Sequence, residues 1–330
     1  MREKLFDFIF SFGMMLAGVL LLFLSPISFN AKKEFRGIFP ASGARAEIGG
    51  DLSLIFPPSK PAVPFLKSGN ISAPPNLSAI SAIAIDGNTK SILFEKNINE
   101  VRSLASITKL MTAMALLDLP IDWSSTAKVG ESDFDGSDHH INVGEVYSLN
   151  DLWHIALVGS SNTAMNLLVR SSGLSEEHFV ELMNRKAKEL RLFSARFSEP
   201  TGLSAKNMAN AIDAAKLLRD ALRFDKIFTT LQIGEYFAKP IGTSKSKQVW
   251  STNWLLTNWV PNNFKVEDIA GKTGFINDSK YNFAVSLTNK DKRQIIVVVM
   301  GANSNEERFS EARDVAEWAF ENYIWPDKNI

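Results

Sequence analysis

Ser106 and Lys109 stand three residues apart in the run Ser106-Ile107-Thr108-Lys109. On a helix, positions i and i+3 share a face, so the lysine amine can reach the serine hydroxyl. A helix amino terminus also favours the negative charge that develops on an attacking oxygen. Farther along come Ser160-Ser161-Asn162 and Lys272-Thr273-Gly274. A hydroxyl at Ser160 can pass a proton to a leaving amine, and the Asn162 amide can bind a substrate carbonyl. Lys272 and Thr273 can hold a substrate carboxylate, while Gly274 lets substrate backbone approach closely. In this order the three groups describe serine acyl transfer with lysine as the base and no histidine.

Spacing alone does not single these residues out. S-x-x-K occurs three times, at Ser106, Ser125 and Ser244, and S-x-N occurs five times; K-T-G occurs once. Ser125 and Ser244 lie in polar stretches and read as surface coincidences, whereas Ser106 opens a strongly apolar helix in which Lys109 is the exception. A lysine in such a helix is buried and needs a partner or a task. To serve as a base it must lose its proton near neutrality. Bringing its pKa from about 10.4 to about 7 corresponds to roughly 4–5 kcal/mol. Burial supplies part of this, and a second ammonium at about 4 Å supplies up to about 4 kcal/mol at an effective dielectric near 20. Lys272 is the candidate for that second cation. Taken by itself, Ser160-Ser161-Asn162 is an ordinary helix cap.

The elements that must position these groups follow from periodicity. Residues 79–95 read as a hairpin turning at Asp86-Gly87-Asn88. Ile107, Leu110, Met111, Met114 and Leu117 give a helix from about Ser106 to Leu117. Two helical segments, Leu149–Val158 and Thr163–Val169, flank Ser160-Ser161-Asn162, and another helix covers 175–190. Asn210 with Asp213 caps a helix running to Leu222. Lys272-Thr273-Gly274 reads as an edge strand, followed by strands at Tyr281–Leu287 and Gln294–Met300 and a closing helix over 305–323. Strands at both ends with helices between predict an α+β domain: one antiparallel sheet made from both termini, packed by helices, with an all-helical subregion.

The 330 residues include 36 basic and 36 acidic side chains, so no field draws nucleic acid. There is no cysteine, which excludes disulfides and thiolate chemistry. The four histidines show no metal-ligand spacing, and neither a metal nor a cofactor is expected. From Phe8 to Ala31 no residue is charged, and Arg2 and Lys4 precede the stretch. As a helix it runs about 36 Å, enough to cross a core of about 30 Å. A retained anchor over 1–33 is favoured over a cleaved signal, because the one good A-x-A, Ala44-Arg45-Ala46, lies far beyond the apolar run. In either case the remainder is exported, to the outer face of the cytoplasmic membrane. Residues 34–75, rich in Pro, Gly, Ser and Ala, read as a semi-extended tether, and 76–330 as the catalytic domain.

At these residues the chain resembles the D-alanyl-D-alanine carboxypeptidase family of low-molecular-mass penicillin-binding proteins, over about residues 76–325. The likeness includes Arg102 to Thr112 and Phe197 to Leu203 as well as the three groups. It implies a peptidoglycan DD-peptidase fold and activity, with stem peptides as substrates and β-lactam antibiotics as covalent inhibitors. By that likeness Ser106 is acylated, Lys109 is its base, Ser160 relays the proton, and Asn162 binds substrate. Lys272 and Thr273 hold the terminal carboxylate, and the backbone N–H groups of Ser106 and Phe275 form the oxyanion hole. Two departures stand out. Leu104 replaces a usual proline, and Ser161 replaces a usual glycine and is expected to add a side chain at the cleft wall. The short form and the run from Ala105 to Met114 resemble the family's endopeptidases more than its carboxypeptidases. Two alternatives remain: a β-lactamase, whose deacylating glutamate Glu199 matches only superficially because its place in the run Phe197 to Leu203 reads as structural, and a non-catalytic wall-binding scaffold.

Overall fold

The structure, a computed structural model, describes residues 62–326 apart from Ser137. The expected membrane segment and most of the expected tether lie outside the described residues. Among the described residues no helix is long and apolar enough to cross a membrane.

In chain order the main elements begin with strands β1 (Ser81–Asp86) and β2 (Ile92–Lys96), followed by helix α1 (Lys109–Leu117). Helices α2 (Leu149–Val158), α3 (Asn162–Ser171), α4 (Glu176–Glu189), α5 (Ala211–Ala221) and α6 (Asp225–Leu231) come next. A hairpin of β3 (Glu235–Ala238) and β4 (Lys247–Trp250) follows. The chain then forms β5 (Ile269–Ile276), β6 (Lys280–Thr288), β7 (Gln294–Ala302) and helix α7 (Glu307–Asn322).

Five of these strands make one antiparallel sheet in the order β5-β6-β7-β1-β2. The sheet joins the two ends of the domain, and β5, which carries Lys272-Thr273-Gly274, is an edge as expected. Both faces of its central strands are buried, which is why β7 reads Ile-Ile-Val-Val-Val-Met rather than alternating with polar residues. Parity sorts the side chains. Ile83, Ile85, Ile296 and Val298 pack against the helical region, whereas Ala82, Ala84, Val297 and Val299 pack against Phe309, Ala312, Val315 and Ala316 of α7. Each fully buried Val or Ile contributes about 1.5–3 kcal/mol, so this two-sided layer is a rigid platform for the edge strand.

Residues 62–75 differ from the free tether expected of them. Phe65–Leu66 pairs antiparallel with Tyr323–Ile324. The Lys67 N–H donates to Asn322 O at 2.9 Å, and Trp318 Nε1 donates to Ser72 O at 2.9 Å. Backbone groups need partners, and those exposed at the end of α7 find them in this segment. Composition rich in Pro and Ser marked the segment as irregular but did not exclude docking.

Candidate active site

Ser106 lies in a 3₁₀ turn, Ala105–Thr108, that leads directly into α1. The expected single helix is therefore a tight turn followed by a helix, with Lys109 as its first residue. Ala105 has a left-handed φ of 48°, a strained conformation for alanine, and it is fully buried. Strain of this kind persists only where the surroundings over-determine it. Here the surroundings are the run Ser198 to Asn207. Thr112 Oγ1 donates to Pro200 O at 2.6 Å, and the Leu104 N–H donates to Asn207 O at 2.8 Å. A Cβ on Gly202, at φ +94°, would stand 2.0 Å from Ala105 O, and one on Gly274 would stand 2.5 Å from Leu104 O. Glycines at these two positions let the loop and the edge strand close on the serine turn from opposite sides.

Lys109 is fully buried, and its amine has three partners. Nζ lies 2.9 Å from Ser106 Oγ, 2.5 Å from Asn162 Oδ1 and 2.8 Å from Thr201 O. Two of these oxygens only accept, because Asn162 turns its Nδ2 to Asp135 Oδ2 at 2.6 Å. A neutral amine thus donates to Asn162 and Thr201 and has its lone pair left for the Ser106 hydroxyl proton. Burial lowers the Lys109 pKa from 10.5 to about 7, against the opposing pull of Glu199, Asp135 and Asp138. Burial is the leading cause of the lowered value, as part of the expectation held, and the three carboxylates that oppose it were not expected. Burial, Lys109 and Arg308 together hold Lys272 well below 10.5, and the repulsion between the two lysines acts on both.

Lys272 pairs across the sheet with Ala284, whose side chain faces the helical region, and it points toward the serine turn between α2 and α3. Its Nζ donates to Ser160 Oγ at 2.7 Å. Ser160 has a left-handed φ of 62°, and its hydroxyl meets Lys272 rather than capping the helix. The neighbouring serine does the capping. Ser161 Oγ accepts from the Ala164 N–H at 2.9 Å, donates to Asp138, and is buried. It therefore does not line the cleft wall as expected; the capping and functional roles belong to different serines. Asn162 is the first residue of α3, and in this structure both ends of its amide serve Lys109 and Asp135. Thr273 is buried and bonds through Oγ1 to Thr252 Oγ1 at 2.7 Å. Phe275 is exposed at the edge, stacked on Tyr281 with centroids 4.4 Å apart.

The structure thus brings Ser106, Lys109, Ser160, Asn162, Lys272 and Thr273 to one place, with Gly274 and Phe275 beside them. Ser125 and Ser244 are both exposed and do not join this cluster. Sequence reasoning missed Asp135, Asp138, Asn207, Thr252 and Arg308. Arg308 left a readable trace: it heads the buried stripe Arg308-Ala312-Val315 of α7, where a charge is out of place. It donates to Gly274 O at 3.1 Å, and burial pushes its pKa down from 12.5 to about 10. Thr252 is the central residue of another S-x-N match, Ser251-Thr252-Asn253. The two aspartates sit in an irregular loop and gave no signal. Among the described residues no group of His, Cys, Asp and Glu is arranged to hold a metal.

Glu199 completes the site in a supporting role. Its carboxylate accepts from Thr201 N–H at 2.7 Å, Thr201 Oγ1 at 2.5 Å, Gly202 N–H at 2.6 Å and Asn207 Nδ2 at 2.7 Å. A carboxylate so engaged knots the loop beneath the nucleophile and has little capacity left to activate water.

A family model for D-alanyl-D-alanine carboxypeptidase matches residues 68–304. A D-alanyl-D-alanine endopeptidase of Pseudomonas aeruginosa is 31% identical over 79% of this chain and 81% of its own length. The Escherichia coli D-alanyl-D-alanine endopeptidase is 29% identical over 83% and 88%, respectively. A D-alanyl-D-alanine carboxypeptidase of Bacillus subtilis is 29% identical over 74% of this chain but only 63% of its own. In fold, the chain is similar to the Streptomyces K15 DD-transpeptidase, with a TM-score of 0.69 and 22% identity over 76% of this chain and 100% of that one. With the sheet, the serine turn and the matched span in agreement, the chain belongs to the D-alanyl-D-alanine carboxypeptidase family and is a serine-type DD-peptidase of peptidoglycan.

Proposed function

We propose that this DD-peptidase works through an acyl-enzyme on Ser106, and that Lys109 is its general base. The observation that carries the assignment is the three-partner environment of Lys109 Nζ, in which only Ser106 can give a proton. Ser106 Oγ attacks the carbonyl carbon of the penultimate D-residue while its proton passes to Lys109. The oxyanion is held by the backbone N–H groups of Ser106 and Phe275. Two backbone segments meet there: a Cβ on Gly274 would stand 3.2 Å from Ser106 N. As the C–N bond breaks, Ser160 gives its proton to the leaving amine and takes one from the Lys272 ammonium that donates to it. Water then cleaves the ester and returns the hydroxyl.

Lys272 and Thr273 hold the substrate carboxylate in this reading. The free site favours it, because Lys272 is crowded by Lys109 and Arg308 and gains a counter-ion when a carboxylate enters. Penicillin, which also carries a carboxylate beside a reactive carbonyl, acylates the same serine. The engaged carboxylate of Glu199 disfavours the β-lactamase alternative.

For the bond cleaved, we favour a D-amino-acid cross-link over the terminal D-Ala. The E. coli and P. aeruginosa endopeptidases match at 29% and 31% identity over 83% and 79% of this chain, the B. subtilis carboxypeptidase at 29% over 74%. Mass analysis of purified muropeptides after digestion tests the choice. Cross-linked dimers falling to monomers are expected; release of free D-Ala with dimers intact assigns the carboxypeptidase activity instead. The apolar stretch Phe8–Ala31 supports a place on the outer face of the cytoplasmic membrane, through a retained anchor. Fractionation of cells should find the full-length chain in the membrane pellet; a shortened chain in the soluble extracytoplasmic fraction would assign a cleaved signal.

A further inference from the structure

Thr252 lies just past β4 and joins two walls of the site. Its N–H donates to Val158 O at 3.1 Å, at the end of α2 and two residues before Ser160. Its hydroxyl oxygen lies 2.7 Å from that of Thr273, whose side chain is buried in the K-T-G strand. The following residue fixes the local backbone: Asn253 Oδ1 accepts from the Leu255 N–H at 3.1 Å. Thr252 therefore stands in a set conformation between the serine turn and the sheet edge.

Only one proton can lie between two hydroxyl oxygens, so the pair has two arrangements. In one, Thr273 donates to Thr252 and shows only lone pairs to an arriving anion. In the other, Thr252 donates to Thr273, and the Thr273 proton is free to point at a carboxylate. A donor that itself accepts a hydrogen bond is polarised and donates more strongly. We propose that Thr252 is the positioning residue of the carboxylate clamp: its hydroxyl donates to Thr273 and directs the Thr273 O–H at the substrate carboxylate. Thr252 acts through Thr273 and does not contact the reacting bond. The inference rests on the reading that Lys272 and Thr273 hold a carboxylate.

The test uses the purified protein with Thr252→Val, Thr252→Ser, Thr273→Val and the Val/Val double variant. The substrates are an acyl-D-alanyl ester ending in a free carboxylate and the same ester ending in a carboxamide. Valine keeps the shape of threonine and removes the donor, and a thermal melt confirms that each variant folds. Thr252→Val should raise KM for the carboxylate ester by about tenfold with kcat nearly unchanged, and should leave the carboxamide ester unaffected. Thr252→Ser should restore the parent KM, and the double variant should be no worse than Thr273→Val. An equal loss on both esters, or additive losses in the double variant, overturns the proposal. If Thr273→Val loses the preference for carboxylate and Thr252→Val keeps it, the proposal alone falls. If Thr273→Val also keeps the preference, the carboxylate clamp itself falls, and the proposal with it.

Discussion

The helical wall and the sheet wall of the cleft each present one fully buried lysine, and the two lysines are set up for opposite tasks. Lys109, on the helical wall, is surrounded by acceptors and lies within the field of Glu199, Asp135 and Asp138. Lys272, on the sheet wall, has the Ser160 hydroxyl and the Thr273 carbonyl as partners and two other cations, Lys109 and Arg308, in its field. Burial disfavours the charged form of both. On the helical wall nearby carboxylates offset part of that cost and leave a pKa of about 7, matched to proton transfer near neutrality. On the sheet wall the neighbouring cations add to the cost, so the ammonium lacks a counter-ion until an anion enters. The same residue type becomes a base or an anion clamp according to the sign of its neighbours.

The comparison breaks most sharply at the helical wall. Ser106→Ala should abolish labelling by fluorescent penicillin, and Lys109→Arg should slow acylation by about 10²–10⁴-fold, because arginine keeps its proton. Labelling of Lys109→Arg at the parent rate would mean that the two lysines do not divide the work as described. In the parent protein the acylation rate should fall as pH drops through about 7, because protonated Lys109 cannot accept from Ser106. Stopped-flow measurement of acylation against pH locates this limb.

Lys272→Met should lower kcat/KM for carboxylate substrates by about 100-fold, through KM as the clamp is lost and through kcat as Ser160 loses its donor. Because the repulsion between the lysines is mutual, the substitution should also move the acid limb upward; a limb that stays at about 7 would leave burial as the sole cause. Gly202→Ala probes the loop beneath the helical wall. The added Cβ would meet Ala105 O at 2.0 Å, so the serine turn must shift. Its expected cost is about tenfold in kcat, with KM retained, and about 1–3 kcal/mol of stability, read from kinetics and a denaturant melt. The smallest effect belongs to Ser161→Ala, which removes the α3 cap for about 1 kcal/mol and a melting shift of about 2–4 °C. Penicillin labelling should survive that change, because Ser160 and not Ser161 faces Lys272.

Much of this arrangement is readable from residue order. The hairpin at 81–96, the helix break around Ser160 and the edge position of Lys272-Thr273-Gly274 follow from periodicity and breaker residues, which report local geometry. The residues that tune the site were for the most part not readable, Arg308 alone leaving a trace as a charge in an apolar helix stripe. Asp135 and Asp138 act from an irregular loop, Thr252 through one hydroxyl contact, and Arg308 from a helix at the far end of the domain. Each is an ordinary polar residue until folding sets its distance to a lysine.

The sequence by itself determined the chemical inventory: a serine with a lysine one turn on, a hydroxyl-rich break between two helices, and a unique K-T-G on a strand. These are properties of residue type and short-range spacing, and the backbone periods of helix and strand translate them directly. Tertiary structure alone decided which serine of Ser160-Ser161 faces the cleft, and that Glu199 is held fast by its neighbours. It also decided that burial is the leading cause of the lowered Lys109 pKa. Proton affinity depends on desolvation and on charges within a few ångströms, and those distances exist only after residues 106, 162, 199 and 272 have met.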